Sequence, residues 1–263
     1  MREFPAPTPL QLRVRLAAGA VDVVAEERDT ATVDVQPYDD RSASRELAEH
    51  TTVELRGDTL FVTTPAESGG LLRRSGSIRI DIRLPLDGTV EIKAASADTT
   101  CRGRYAHAAL DTASGDIFVE QVTGDAAVRA ASGDIRLIRV DGALSVSGAS
   151  GDVRAERAGG RLDAKLGSGD LQIGEADSDV LVKTASGDVH IGAVNRGVVQ
   201  VGTASGDVGV GVRAGTGVWL DLSTTSGSTS NGLDMGGDGP SAEPQLTLQL
   251  RTVSGDIDVH RVA

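Results

Sequence analysis

The sequence predicts an all-β fold: a right-handed parallel β-solenoid (β-helix) with about 18 residues per coil and an irregular N-terminal β cap. Three observations predict it. A Ser-Gly-Asp motif returns at a fixed spacing. Apolar residues alternate with polar ones after each motif. The composition is rich in glycine, at 33 residues, and poor in aromatics, with three Phe, two Tyr and one Trp.

The motif stands at Ser114-Gly115-Asp116, Ser132-Gly133-Asp134, Ser150-Gly151-Asp152, Ser168-Gly169-Asp170 and Ser186-Gly187-Asp188, 18 residues apart each time. Ser96-Ala97-Asp98 extends the series one step backwards. Ser205-Gly206-Asp207 follows 19 residues later, a variant Ser226-Gly227-Ser228 after 21 more, and Ser254-Gly255-Asp256 after 28 more. A fixed period of this length marks a repeat architecture. Each repeat divides again into two nine-residue halves, as in SGDIFVEQV followed by TGDAAVRAA, and each half reads as a turn followed by a short strand.

The alternation supports strands. Three residues after each motif serine stand Ile117, Ile135, Val153, Leu171, Val189, Val208 and Ile257. Five residues after stand Val119, Leu137, Ala155, Ile173, Ile191, Val210 and Val259. The residues between are mostly charged or small. A period of two places one face inward and one face in water, which no helix does. Like halves stack on like halves, one strand spacing of about 4.8 Å per coil. No single repeat buries its own apolar face, so neighbours must supply the partner surface.

In such a fold Ser-Gly-Asp is a corner. Glycine reaches positive φ without steric cost. The Ser and Asp side chains can accept hydrogen bonds from backbone N–H groups left over by the turn. Stacking the corners places carboxylates about 5 Å apart, which costs about 1 kcal/mol per neighbouring pair at water's dielectric. A hydrogen bond to a charged acceptor returns roughly 1.5–3 kcal/mol, so the ladder stands without metal. Calcium-binding β-rolls place a Gly-Gly-x-Gly-x-Asp turn in every nine-residue half. Here the second corner drifts through TGD, DGA, GGR, DSD and NRG, leaving one carboxylate per coil against the six to eight oxygens calcium takes.

The remaining chemistry-bearing residues are sparse. Cys101 is the single cysteine and reads as a small apolar residue on a strand; one cysteine builds neither a disulfide framework nor a Cys/His zinc site. His50, His107, His190 and His260 are far apart, and His190 falls at an outward strand position. No Gly-x-Ser-x-Gly elbow, P-loop or His-Glu-x-x-His is present, and Gly206–Gly211 lies on a strand. The net charge of −12 disfavours nucleic acid and anionic membrane, and few aromatics disfavour a sugar groove. The start of the chain carries no leader-like apolar run and no segment reaches about 18 apolar residues, so a cytoplasmic chain without membrane insertion is expected. Neither a catalytic residue, a cofactor nor a small-molecule substrate is indicated.

Residues 1–93 lack the repeat. LQLRVRL (10–16), VDVVAEE (21–27), TVDVQPY (32–38), TVELRG (52–57), TLFVTTP (59–65), SIRIDIRLP (77–85) and TVEIKA (89–94) read as strands, and SRELAEH (44–50) as a short helix. This region is expected to cap the solenoid and cover one open edge. The repeats then occupy 94–263. Two loops are expected, a basic linker at 67–76 and a flexible Gly/Pro/Asp excursion at 228–245. The segment QLTLQLRTVSGDIDVHRV reads as the last coil, its exposed edge blunted by Arg251, Asp258, His260 and Arg261.

The SGDI/SGDV repeats, the opening pair LRVRLAAGAVDVVAEE, the bridge SIRIDIRLPLDGTVEIKAAS and the ending WLDLSTTSG…LRTVSGDIDVHR resemble the bacterial toastrack, or candidate-adhesin, β-strand-repeat family, a domain of unknown function. The resemblance covers nearly the whole chain. It implies a right-handed β-helix without a known catalytic residue, and a link to the cell envelope or stress signalling. The expected function is a non-enzymatic scaffold or protein-interaction module whose partner is another protein or a second copy. The rivals are a self-assembling element like the bactofilin solenoids, a carbohydrate-active enzyme and a calcium-binding β-roll.

Overall fold

The computed structural model describes residues 1–6, 9–65, 76–233 and 245–263. The linker expected at 67–76 lies, but for Gly76, outside the described residues, as do residues 234–244 of the expected loop. The chain divides into two compact units, Met1–Ile135 and Arg136–Ala263.

The first unit contains β1 (Arg2–Pro5), β2 (Gln11–Glu26), β3 (Thr30–Pro37), α1 (Ser42–His50), β4 (Thr52–Arg56), β5 (Thr59–Thr63), β6 (Ile78–Pro85), β7 (Gly88–Ser114), β8 (Ile117–Val122) and β9 (Ala126–Ser132). β2 is itself a solenoid coil. Its first half pairs in parallel with β5 and the start of β7, and its second half with β6 and the middle of β7. Leu12 and Val14 therefore lie beside Val90 and Ile92, and Val23 beside Cys101, all buried. The spatial order differs from the sequence order: the coil formed by β5 and β6 lies outside β2, while β7 lies inside. Antiparallel strands close the outer edge. β4 pairs with β5, β3 with β6, and β1 with β3. These strands are the irregular cap, and α1 starts two residues earlier than its sequence signal.

β7 carries a kink. Its register against β8 shifts between Cys101 and Arg104, where Gly103 has φ 89 and its Cα lies against the Ala25 carbonyl, 2.0 Å from where a Cβ would stand. The bulge turns Tyr105 inward. The Tyr105 hydroxyl lies 3.0 Å from the Val23 carbonyl and 2.9 Å from that of Arg102, so the buried phenol is satisfied.

The second unit contains β10 (Ile135–Val140), β11 (Leu144–Ser150), β12 (Val153–Ala158), β13 (Leu162–Ser168), β14 (Leu171–Ala176), β15 (Val180–Ser186), β16 (Val189–Val194), β17 (Gly197–Ser205), β18 (Val208–Arg213), β19 (Val218–Ser226), β20 (Thr229–Gly232), β21 (Leu246–Ser254) and β22 (Ile257–Val262). Alternate strands pair in parallel and in register, which is the solenoid. One interior column runs Leu144, Leu162, Val180, Val199, and a second runs Val153, Leu171, Val189, Val208. All are 2 % exposed or less. Each such side chain contributes roughly 1.5–3 kcal/mol by leaving water.

The end of this unit departs from the expected order. β21 lies between β17 and β19, and β22 between β18 and β20. The chain's closing strands are therefore interior to the ladder, and Arg251, Asp258, His260 and Arg261 guard no edge. The outermost coil is formed by β19 and β20. The physical reason is that a parallel ladder accepts any strand with matching alternation. Leu246, Leu248 and Leu250 match Val199, Val201 and their neighbours as well as Val218, Leu220 and Leu222 do.

Candidate functional site

The most regular constellation in the chain is the row of Ser-Gly-Asp corners. Within the first unit, Asp98 Oδ1 accepts the backbone N–H of Asp116 at 3.0 Å, and Asp116 Oδ1 accepts that of Asp134 at 2.9 Å. Within the second, Asp152 serves Asp170 at 3.0 Å, Asp170 serves Asp188 at 2.9 Å, and Asp188 serves Asp207 at 2.8 Å. Asp207 then serves Asp256, 49 residues on, at 2.8 Å. Asp116, Asp134, Asp170, Asp188, Asp207 and Asp256 also offer their main-chain carbonyls to the previous coil, as Asp188 does to the N–H of Leu171 at 2.8 Å. Within each unit, each corner is thus joined to the next by two bonds running in opposite senses.

The glycines explain why the motif varies so little. Gly115, Gly133, Gly151, Gly169, Gly187, Gly206 and Gly255 all have φ between 116 and 144. A Cβ on Gly187 would stand 2.1 Å from the carbonyl oxygen of Gly169, and one on Gly255 2.1 Å from that of Gly206. Only glycine combines that conformation with that approach. The serines contribute main-chain carbonyls: Ser205 accepts from Gly187, Ser254 from Gly206 and Ser226 from Gly255, at 2.9–3.0 Å. Ser114, Ser132, Ser150, Ser168 and Ser186 are exposed, and the Ser114 hydroxyl lies 3.5 Å from that of Ser96.

A threonine two residues before the motif was not singled out from the sequence. Thr112, Thr184 and Thr203 donate their hydroxyls to the carbonyls of Ser114, Ser186 and Ser205, at 2.9, 3.2 and 3.1 Å. The signal was present as Thr-Ala-Ser-Gly-Asp, and burial of these threonines is tolerable because each hydroxyl is paired.

Other chemistry-bearing groups are dispersed. Among the described residues no group of three or more His, Cys, Asp and Glu could hold a metal ion. Cys101 is fully buried, and that burial, with the nearby Asp22 carboxylate, pushes its thiol up to about 12. His107 Nδ1 accepts the N–H of Asp125 at 3.1 Å, an aspartate-like role in a second corner, and His190 is exposed. A cavity of about 160 Å³ in the first unit is lined by Arg13, Arg15, Phe61, Glu91 and Lys93. Glu91 ties Arg13 at 3.3 Å and Lys93 at 3.1 Å, and guanidinium groups of Arg13 and Arg56 lie 6.0 and 5.5 Å from the Phe61 ring. The space is well below that of an organic-ligand pocket.

Two overlapping stretches that together span the 18-residue coils match the model of one family. The Toastrack DUF4097 model matches residues 73–176 and again residues 159–262. The chain belongs to the Toastrack family. Among solved structures, this Toastrack chain is similar to a candidate lipid-binding protein from Parabacteroides distasonis, at 14% identity over 100% of this chain and 96% of that one, with a TM-score of 0.46. It is also similar to candidate adhesins from Bacteroides fragilis and Parabacteroides distasonis, each at 10% identity over 99% of this chain and 95% of that one, both with a TM-score of 0.38. No curated protein matches it. Among the described residues, no helix of this Toastrack chain is long and apolar enough to cross a membrane.

Proposed function

We propose that this Toastrack chain is a non-enzymatic scaffold that docks a partner protein on the outer face of its last coils. The observation that carries the reading is an exposed apolar row. Val198, Thr247 and Trp219 lie side by side on β17, β21 and β19, and the Val and Trp are 38% and 48% exposed. Val253, at 56%, is exposed at the far end of β21, outside this row. These are three of the five large apolar residues exposed among the described residues. Clustered apolar side chains rimmed by polar ones mark interaction surfaces, and tryptophan is enriched there. The acids support the same reading, since the carboxylates of Asp98, Asp116, Asp152, Asp170, Asp188, Asp207 and Asp256 each hold a backbone N–H. We place the chain in the cytoplasm, in an envelope- or stress-linked pathway, on its single unpaired cysteine and its family resemblance.

The test is affinity capture from native cytosol with the tagged full chain and a Val198→Arg/Trp219→Ser variant, read by mass spectrometry. The expected result is a stoichiometric partner lost from the variant, while both proteins melt alike. Capture of the same proteins by both would sink the outer-face reading. Recovery of only the chain itself would favour self-assembly.

A further inference from the structure

The outermost coil of the second unit presents a strand edge. β19 pairs with β21 on one side, and no described strand pairs on the other. The N–H of Leu246 donates to the carbonyl of Gly217 at 3.2 Å. The alternation of a parallel ladder then turns the N–H and C=O groups of Val218, Leu220, Leu222 and Thr224 to the free side. The same residues share the interior face with Leu246, Leu248 and Leu250, which are 0% exposed. On β19 they are half-exposed. Unpaired backbone and an open core end therefore coincide on one strand.

From this edge we propose that the chain forms a two-fold dimer in which β19 of one protomer pairs antiparallel, edge to edge, with β19 of a second copy, centred on Leu222. The strand is self-complementary about that residue. Leu222 faces its own copy and Leu220 faces Thr224, so these opposed residues turn their backbones to the interface and their side chains to the interior; Val218 meets Ser226 at the corner, where the Ser226 carbonyl is already held by the Gly255 N–H. A slip by one residue would turn the faces inside out. The only ionisable side chain on β19 is Asp221, held by Arg251 at 3.2 Å, and in this register it meets Ser223 rather than another Asp221. A neutral strand offers no ionic handle to a charged partner, whereas its own copy matches its alternation.

The first unit shows what an edge built against pairing looks like. β1 has four residues including Arg2, Glu3 and Pro5, and β4 has five including Glu54 and Arg56. Short strands with charges and proline blunt an edge. β19 runs nine residues without Lys, Arg or Pro. A two-fold pairing of β19 with its own copy uses up that edge on both protomers, so this contact closes as a dimer and does not propagate.

The dimer names one partner for the interaction module proposed above, but it uses the backbone edge and not the Val198 face. Sedimentation equilibrium of the full chain at up to about 0.1 mM should give twice 27.0 kDa, and the dimer should tighten with salt as the net charge of −12 on each copy is screened. Leu220→Pro removes one free-side N–H and should weaken the dimer at least tenfold. Ser223→Cys, exposed on the outer face of β19, should give a covalent dimer with a short bis-maleimide, while exposed Ser145→Cys should not; buried Cys101 stays silent in both. Val198→Arg should leave the dimer intact, even if it abolishes capture of another protein. A wild-type mass of 27.0 kDa throughout, equal cross-linking by the two cysteine variants, or loss of the dimer in Val198→Arg would each overturn the proposal.

Discussion

Asp256 Oδ1 accepts both the main-chain N–H and the hydroxyl of Ser228, at 2.7 and 2.9 Å, although Ser228 comes 28 residues earlier in the chain. The pair shows that the coil ending in Ser226-Gly227-Ser228 is stacked beyond the coil of Ser254-Gly255-Asp256. It also explains the motif that lacks its aspartate, Ser226-Gly227-Ser228. An aspartate in a corner serves the N–H of the next coil, and the outermost coil has no next coil to serve.

The backbone N–H of Ser228, and then its hydroxyl, hold the Asp256 carboxyl below the ordinary carboxylate range. A depressed folded value means that the stability from this pair is present above the unfolded pKa of about 3.9 and is lost as pH falls through the folded value. Wild type should therefore be more stable than Asp256→Asn at pH 7, by urea midpoint, and the difference should close at acid pH. A difference unchanged down to the lowest pH at which both fold would show that the charge plays no part.

Gly187→Ala should destabilise by about 3 kcal/mol or more, because it adds both a strained φ and a collision with the Gly169 carbonyl. Gly57→Ala is the control. Gly57 also has positive φ, at 63, but nothing lies within 4 Å of the added Cβ, so the cost should be about 1 kcal/mol. Equal losses in thermal melts of the two variants would remove the close approach as the reason for the glycine.

Asp81 lies on β6 between Asp34 of β3 and Asp22 of β2, three carboxylates in one cross-strand row. Burial first, and then the Asp22 charge, raise the Asp81 carboxyl above its usual range. A raised acid favours the folded state below its unfolded pKa, and that contribution disappears as pH rises. Ionised Asp81 is thus a cost at neutral pH. Asp81→Asn should stabilise by about 0.5 kcal/mol at pH 7, as expected for removing opposed like charges, and by nothing near pH 3. Chemical denaturation at both pH values reads the sign.

Cys101 lies wholly inside the first unit with its thiol raised to about 12. A thiol reagent should therefore leave the native chain unlabelled at pH 8 and label one cysteine in denaturant. Rapid labelling of the folded protein would mean that β7 opens locally at its bulge.

The repeat region was legible because its code is local and repeated. The glycine of each corner is required by a φ that side chains avoid. The alternation from Ile117 to Val119, or Leu171 to Ile173, marks which side faces the core. These preferences act within one coil, so they can be read without knowing where the coil lies. The threonine before the motif was equally local, and it passed unnoticed because alanine, glycine or leucine takes its place in other coils.

Sequence alone therefore determined the coil: its period, its interior columns and its corners, since each depends on contacts between residues a few positions or one period apart. The tertiary structure alone decided the order of the coils at the ends of the ladder. β2 lies between the coil of β5 and β6 and the strand β7, and β21 lies between β17 and β19. The physical reason is that parallel ladders of similar apolar residues are nearly interchangeable, so their order rests on which edges are closed and which backbone groups find partners. Only Ser228, where an aspartate would stand in the other corners, carried a trace of that decision into the sequence.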